Sequence, residues 1–119
     1  MLTESLSACR EILAGDKTIL REVLHPSRDP ATIRYSLAHA KLSPHTTSLP
    51  HRLKTSEVYY FISGRGRMHV NGETTAVGPE HAVYIPPGAE QHVENTGTAD
   101  LVFLCIVDPA WRLEDEEAL

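Results

Sequence analysis

His51 and Glu57 flank a short polar stretch in HRLKTSEVYYFISG, the run from His51 to Gly64. An imidazole and a carboxylate can exchange protons, and both are donors that suit zinc, iron, nickel or manganese. Aimed together into an apolar interior, they cost several kcal/mol unless something pairs with them. The pair therefore implies either a buried His–Glu hydrogen bond or a bound metal or polar ligand. A Pro86-Pro87-Gly88 turn follows further on, and just beyond it stand Gln91, His92 and Asn95. An amide oxygen from Gln91 would hold a divalent ion more weakly than an imidazole would.

The other candidates for chemistry have simpler readings. His39, His45 and His69 are expected to be polar or interface residues, with His39 on a strand placed to line a pocket. His25 and His81 flank turns and are expected to face solvent. Tyr59 reads as core, with a phenol able to hydrogen-bond a ligand. Arg34 and Arg52 are expected on the surface, and the run Glu114 to Glu117 is expected to be a solvated end.

These side chains must be positioned by a chain of 119 residues, enough for one domain with a real core. A net charge of -5 with scattered Lys and Arg argues against nucleic acid and against an anionic membrane as partners. The two cysteines, Cys9 and Cys105, lie far apart and form no zinc or redox motif. The N-terminal residues lack a secretory apolar core, and no run is long enough to span a membrane. The expectation is a cytoplasmic protein.

Short apolar segments separated by Gly, Pro, Asn and Asp predict an all-β domain. Strands are expected over Thr18 to Leu24, Ile33 to Leu42, Glu57 to Ser63, Arg67 to Val70, Glu73 to Val77, His81 to Ile85, Gln91 to Glu94 and Leu101 to Val107. Gly64-Arg65-Gly66 is expected to fold the fourth of these back on the third, setting Met68 opposite Phe61 and Val70 opposite Tyr59. Asn71-Gly72 predicts a type I′ hairpin. Residues 110–119 form an acidic tail, helical or frayed, with Trp111 as its docking point. Period-two alternation puts Glu57, Tyr59 and Phe61 on one face and Val58, Tyr60 and Ile62 on the other. Both faces are apolar, which predicts a second layer on each side and a homodimer that covers the outer one.

In these residues the chain resembles the cupin family of small jelly-roll barrels. Cupins carry a first motif of Gly, His-x-His, Glu and Gly, and a second of Gly, Pro-x-Gly, His and Asn. Here His45 occupies the first glycine slot, His51 the first histidine and Leu53 the second, while Glu57 and Gly64 fall in register. In the second motif Glu80 stands in the glycine slot, Pro86, Gly88 and Asn95 match, and Gln91 takes the histidine slot.

The resemblance implies a cupin-type jelly-roll barrel (double-stranded β-helix) over residues 31–109, preceded by an extension over 1–30 able to supply edge strands. It implies a divalent metal ion on His51, Glu57 and Gln91, beneath a pocket walled by Tyr59, Phe61 and Met68. A β-bulge near the turn would exchange Gln91 for His92. The implied function is binding of a small polar molecule, with isomerase, epimerase, cyclase or dioxygenase chemistry if a metal is held. The alternatives are a ligand-binding module without metal and a purely structural dimerising domain with a filled interior.

Overall fold

The computed structural model describes residues 1–119. Eleven strands run in chain order: β1 (Glu11–Leu13), β2 (Ile19–Leu24), β3 (Ser36–Leu42), β4 (His51–Leu53), β5 (Ser56–Ser63), β6 (Gly66–Val70), β7 (Glu73–Val77), β8 (Ala82–Ile85), β9 (Glu90–Asn95), β10 (Leu101–Asp108) and β11 (Glu116–Ala118). They form two antiparallel sheets, a six-stranded one ordered β1-β2-β3-β10-β5-β8 and a five-stranded one ordered β11-β4-β9-β6-β7. This is an all-β jelly roll, in which each sheet buries its inner face against the other. No helix is long and apolar enough to cross a membrane.

Alternation sets what each strand buries. In β5 the residues Glu57, Tyr59 and Phe61 are buried, while Tyr60 and Ile62 are exposed. In β9 the residues Gln91, Val93 and Asn95 point inward, and His92 lies outside, stacked on His69 of β6 with ring centroids 4.1 Å apart. No bulge exchanges the two faces of β9, whose register with β6 is continuous. The core gathers around Phe103, with Tyr59 stacked on it at 4.7 Å and Phe61 tilted against it at 5.4 Å.

The Asn71-Gly72 turn joins β6 to β7 with both residues at positive φ, as a type I′ hairpin requires. The expected hairpin one turn earlier does not form. β5 pairs with β10 and β8, whereas β6 pairs with β7 and β9 in the other sheet. Met68 and Phe61 therefore meet across the core, as members of one buried cluster, and are not ladder neighbours. The glycines explain the crossing. A Cβ on Gly64, whose φ is +90°, would lie 2.5 Å from the Asp100 carbonyl, and one on Gly66 would lie 2.6 Å from that of Glu94. Only bare backbone can pass so close while turning the corner between sheets.

Both ends of the chain build the barrel. Near the N-terminus β1 and β2 extend the six-stranded sheet, with β2 on β3. The C-terminal residues neither form an α-helix nor fray: after a short 3-10 turn, β11 pairs with β4, with Glu116 opposite Leu53 and Ala118 opposite His51. Asp115 is buried in that turn and holds Arg112 through two hydrogen bonds of 2.9 and 3.0 Å. His25 is also buried, contrary to its expected exposure, because the returning segment covers it and its Nε2 meets the Trp111 carbonyl at 2.8 Å.

Candidate functional site

Residues from both sheets converge at one end of the barrel interior. Gly88 of the Pro86-Pro87-Gly88 turn donates its N–H to the Leu53 carbonyl at 2.8 Å, tying the turn to β4. β9 then runs beside β4 with Gln91 directly opposite His51. Opposed residues of an antiparallel pair share a face, so the imidazole and the amide both point inward. Glu57 approaches from the six-stranded sheet, where it lies between Val107 and Ile85. Gln91 Nε2 donates to Glu57 Oε1 at 3.0 Å, a side-chain bond that bridges the two sheets.

Glu57, His51 and Tyr59 line a cavity of about 490 Å³, together with Phe103, Cys105 and Trp111. The interior is thus open rather than filled by side chains. Phe61 and Met68 lie in the packed core and are not part of its lining, and Gln91 lies behind Glu57. His39 is on the outer face of β3, while Ser36 and Ala38 of the same strand face the cavity. Burial and the nearby Lys41 and Arg21 charges lower the pKa of His39.

Electrostatics single out Glu57. Burial is the main cause that pushes its pKa from 4.5 up to about 8, opposed by the Gln91 hydrogen bond and assisted by the charges of Asp16 and Glu116. A carboxyl group in this setting holds its proton at neutral pH. Burial pushes the Tyr59 phenol and the Cys105 thiol well up too, so neither is an activated nucleophile.

His51 Nδ1 donates to the Leu49 carbonyl at 3.1 Å, which leaves Nε2 without a hydrogen-bond partner in the protein. Its nearest acids are Asp16, 4.0 Å from Nδ1, and Glu116, 3.9 Å from Nε2. Gln91 Oε1 is buried with no hydrogen-bond partner.

Asp16 and Glu116 were not legible as site residues. Asp16 sits in the turn before β2, where its carboxylate accepts the Thr18 N–H and hydroxyl. Glu116 belongs to the acidic run read as solvated, and it turns inward because β11 aligns it with the buried Leu53. Nothing local marks either one.

The donor set can be judged as a metal centre. Leu53 supplies no donor, Gln91 supplies an amide already turned toward Glu57, and Glu57 sits where a proton is favoured over a charge. No three His, Cys, Asp or Glu side chains are grouped so as to hold a metal ion. As they stand, these residues do not fit a resident divalent ion.

Fold and site together define a small single-domain β-barrel with an interior cavity and a polar cluster at its floor. The chain belongs to the cupin family: its residues 38–107 match the model of the cupin domain. An uncharacterized protein of Methanocaldococcus jannaschii is 37% identical over 108 residues, 90% of this chain and 86% of that protein. Among solved structures, a predicted oxalate decarboxylase from Thermotoga maritima superposes with a TM-score of 0.80 at 21% identity, covering 91% of this chain and 99% of that one. Pac13 of Streptomyces, a nucleoside dehydratase, superposes with a TM-score of 0.81 at 15% identity, covering 100% of this chain and 91% of that one. Likeness at these identities shows the fold and leaves the chemistry to the site.

Proposed function

We propose that this cupin binds a small molecule in its interior cavity, with Glu57 and His51 holding the ligand's polar end and without need of a resident metal. The observation that carries this reading is the open cavity of about 490 Å³ ending on a buried, proton-holding carboxyl group. That volume is in the range of small-molecule sites. Tyr59, Phe103 and Trp111 give it an apolar wall for the ligand's body.

Trp111 is the only tryptophan of the chain, so its emission reports entry of a ligand. A chemically mixed set of small molecules should yield ligands that shift both that emission and the melting temperature. The same ligands should lose affinity when Ala38→Phe narrows the cavity. Ligands that bind the narrowed variant equally well, or a set with no ligand of any class, would overturn the reading.

A second reading is a metal-dependent isomerase, epimerase, cyclase or dioxygenase with zinc, iron, nickel or manganese on His51, Glu57 and Gln91. It is favoured by the free Nε2 of His51 and the unpartnered Oε1 of Gln91. Elemental analysis of protein produced with these metals in excess separates the two. One equivalent of metal, lost in His51→Ala, would establish the second reading and displace the first.

We also propose a homodimer in the cytoplasm. The outer face of the six-stranded sheet exposes Ile106, Tyr84, Tyr60 and Ile62, and the ladder places Ile106 and Tyr84 on either side of Val58 in one row. An apolar row on neighbouring strands is a surface that a second copy would cover. The cytoplasmic setting is supported by Cys9 and Cys105, which are both free thiols.

A further inference from the structure

We propose that the cavity selects a ligand with a protonated nitrogen on an apolar or aromatic body, the nitrogen seated among Asp16, Glu57 and Glu116. This rests on the binding reading above and names the class of ligand.

The charge at the cavity floor is one-sided. Asp16, Glu57 and Glu116 all face the cavity, and Asp16 and Glu116 approach His51 from its two ring nitrogens at 4.0 and 3.9 Å. The negative charge comes from Asp16 and Glu116, while Glu57 keeps its proton and offers its carbonyl oxygen as an acceptor. The two arginines on the lining do not reach this cluster as counter-charges. Arg28 is held by Glu22 at 2.9 Å and Asp29 at 3.0 Å, and Arg10 lies on the exposed rim.

Hydrogen bonding points the same way. The buried His51 has a free Nε2 facing the cavity, since only its Nδ1 is bonded. Asp16 and Glu116 add carboxylate oxygens on either side of that ring. With the Leu49 bond occupying the Nδ1 hydrogen, Nε2 is left as an acceptor like the carboxylate oxygens beside it, so the group that completes them must donate. A primary ammonium has three N–H bonds and a positive charge, and in a site shielded from water it gains far more from carboxylates than it would outside. An anionic end group would meet the like charges of Asp16 and Glu116 and find no cation free to pair with it.

The body of the ligand follows from the walls. Tyr59 and Phe103 are stacked at the cavity wall, Trp111 stands on the lining, and Leu53 occupies the slot where a further polar ligand would have been. Aromatic rings near a cation add to its binding. The space, about 490 Å³, exceeds what a bare ion would use.

Three probes share one phenyl ring and differ in the end group: phenethylamine, phenethyl alcohol and phenylacetate. Trp111 emission and calorimetry at one ionic strength should rank the amine at least about tenfold tighter than the alcohol, a step of ~1.4 kcal/mol, and the acid weakest. Glu116→Gln should remove most of the amine's advantage while the alcohol binds as before. Asp16→Asn, which can keep the turn bonds to Thr18, repeats the test if the first variant folds poorly. An alcohol or acid that binds as tightly as the amine overturns the inference and leaves the binding reading intact. So does a failure of all three probes when other molecules bind. Zinc or manganese that binds alone and excludes the amine assigns the acceptors to a metal and overturns it as well.

Discussion

Replacing Glu57 by Gln keeps the shape of the side chain and removes its proton equilibrium. In the folded protein the carboxyl pKa stands at about 8 against an ordinary value of 4.5, chiefly because burial disfavours the charged form. Below about pH 4.5 the group is protonated in both folded and unfolded chains and affects stability equally. Above that the unfolded chain releases its proton while the folded chain retains it, so stability falls as pH rises and levels off above about pH 8. The full interval, at ~1.4 kcal/mol per unit, corresponds to about 5 kcal/mol. Water entering the cavity lowers this figure, and a loss of about 2–5 kcal/mol is expected. The assay is urea unfolding followed by Trp111 emission, for wild type and Glu57→Gln, from about pH 4 to about pH 9. Other titrating groups are common to both proteins and cancel in the difference. The variant should gain on wild type steadily through this range and then hold a constant lead. A difference that stays flat, or a wild type that gains with pH, would refute the reasoning; the second result means that Glu57 is charged and stabilised in the fold.

Four further outcomes follow from particular contacts. Asn95→Ala should cost about 2–4 kcal/mol in chemical unfolding, because the buried amide donates to the Leu42 and Ala99 carbonyls at 2.8 and 2.9 Å and accepts the Gly97 N–H at 2.9 Å. Gly64→Ala should destabilise by about 2 kcal/mol or more, read as a lowered melting temperature, since the new methyl group meets the Asp100 carbonyl at a positive φ. Phe103→Ala should cost about 3–5 kcal/mol and enlarge the cavity, because the ring packs against both Tyr59 and Phe61. Light scattering should give the mass of two chains for wild type and of one for Tyr84→Glu with Ile106→Glu, both of which lie on the outer sheet face; a wild type that stays monomeric at every concentration excludes the dimer.

How far the residues could be read is clearest in β5 and β9. Alternation along β5 assigned Glu57, Tyr59 and Phe61 to the inside, and the motif register put Gln91 in the slot that β9 turns inward beside Asn95. The spacing of the motif residues led to the cupin family, and the family match covers residues 38–107. The Gly64-Arg65-Gly66 turn was misread because glycines that close a hairpin and glycines that carry a chain between sheets look the same in one dimension. What distinguishes them is the backbone of Asp100 and Glu94, far along the chain. The acidic residues at the end were likewise indistinguishable from a solvated tail until β11 found β4.

The sequence by itself determined the periods, the turns and the inward faces, since each depends on backbone geometry within a few residues. Only the tertiary structure decided that Glu57 and Gln91 meet from opposite sheets and that Asp16 and Glu116 arrive from the two ends of the chain. It also decided that the polar cluster sits beneath open space rather than in a packed core. Those outcomes depend on which strands bury one another across the barrel, and that choice is made by the whole set of apolar faces at once.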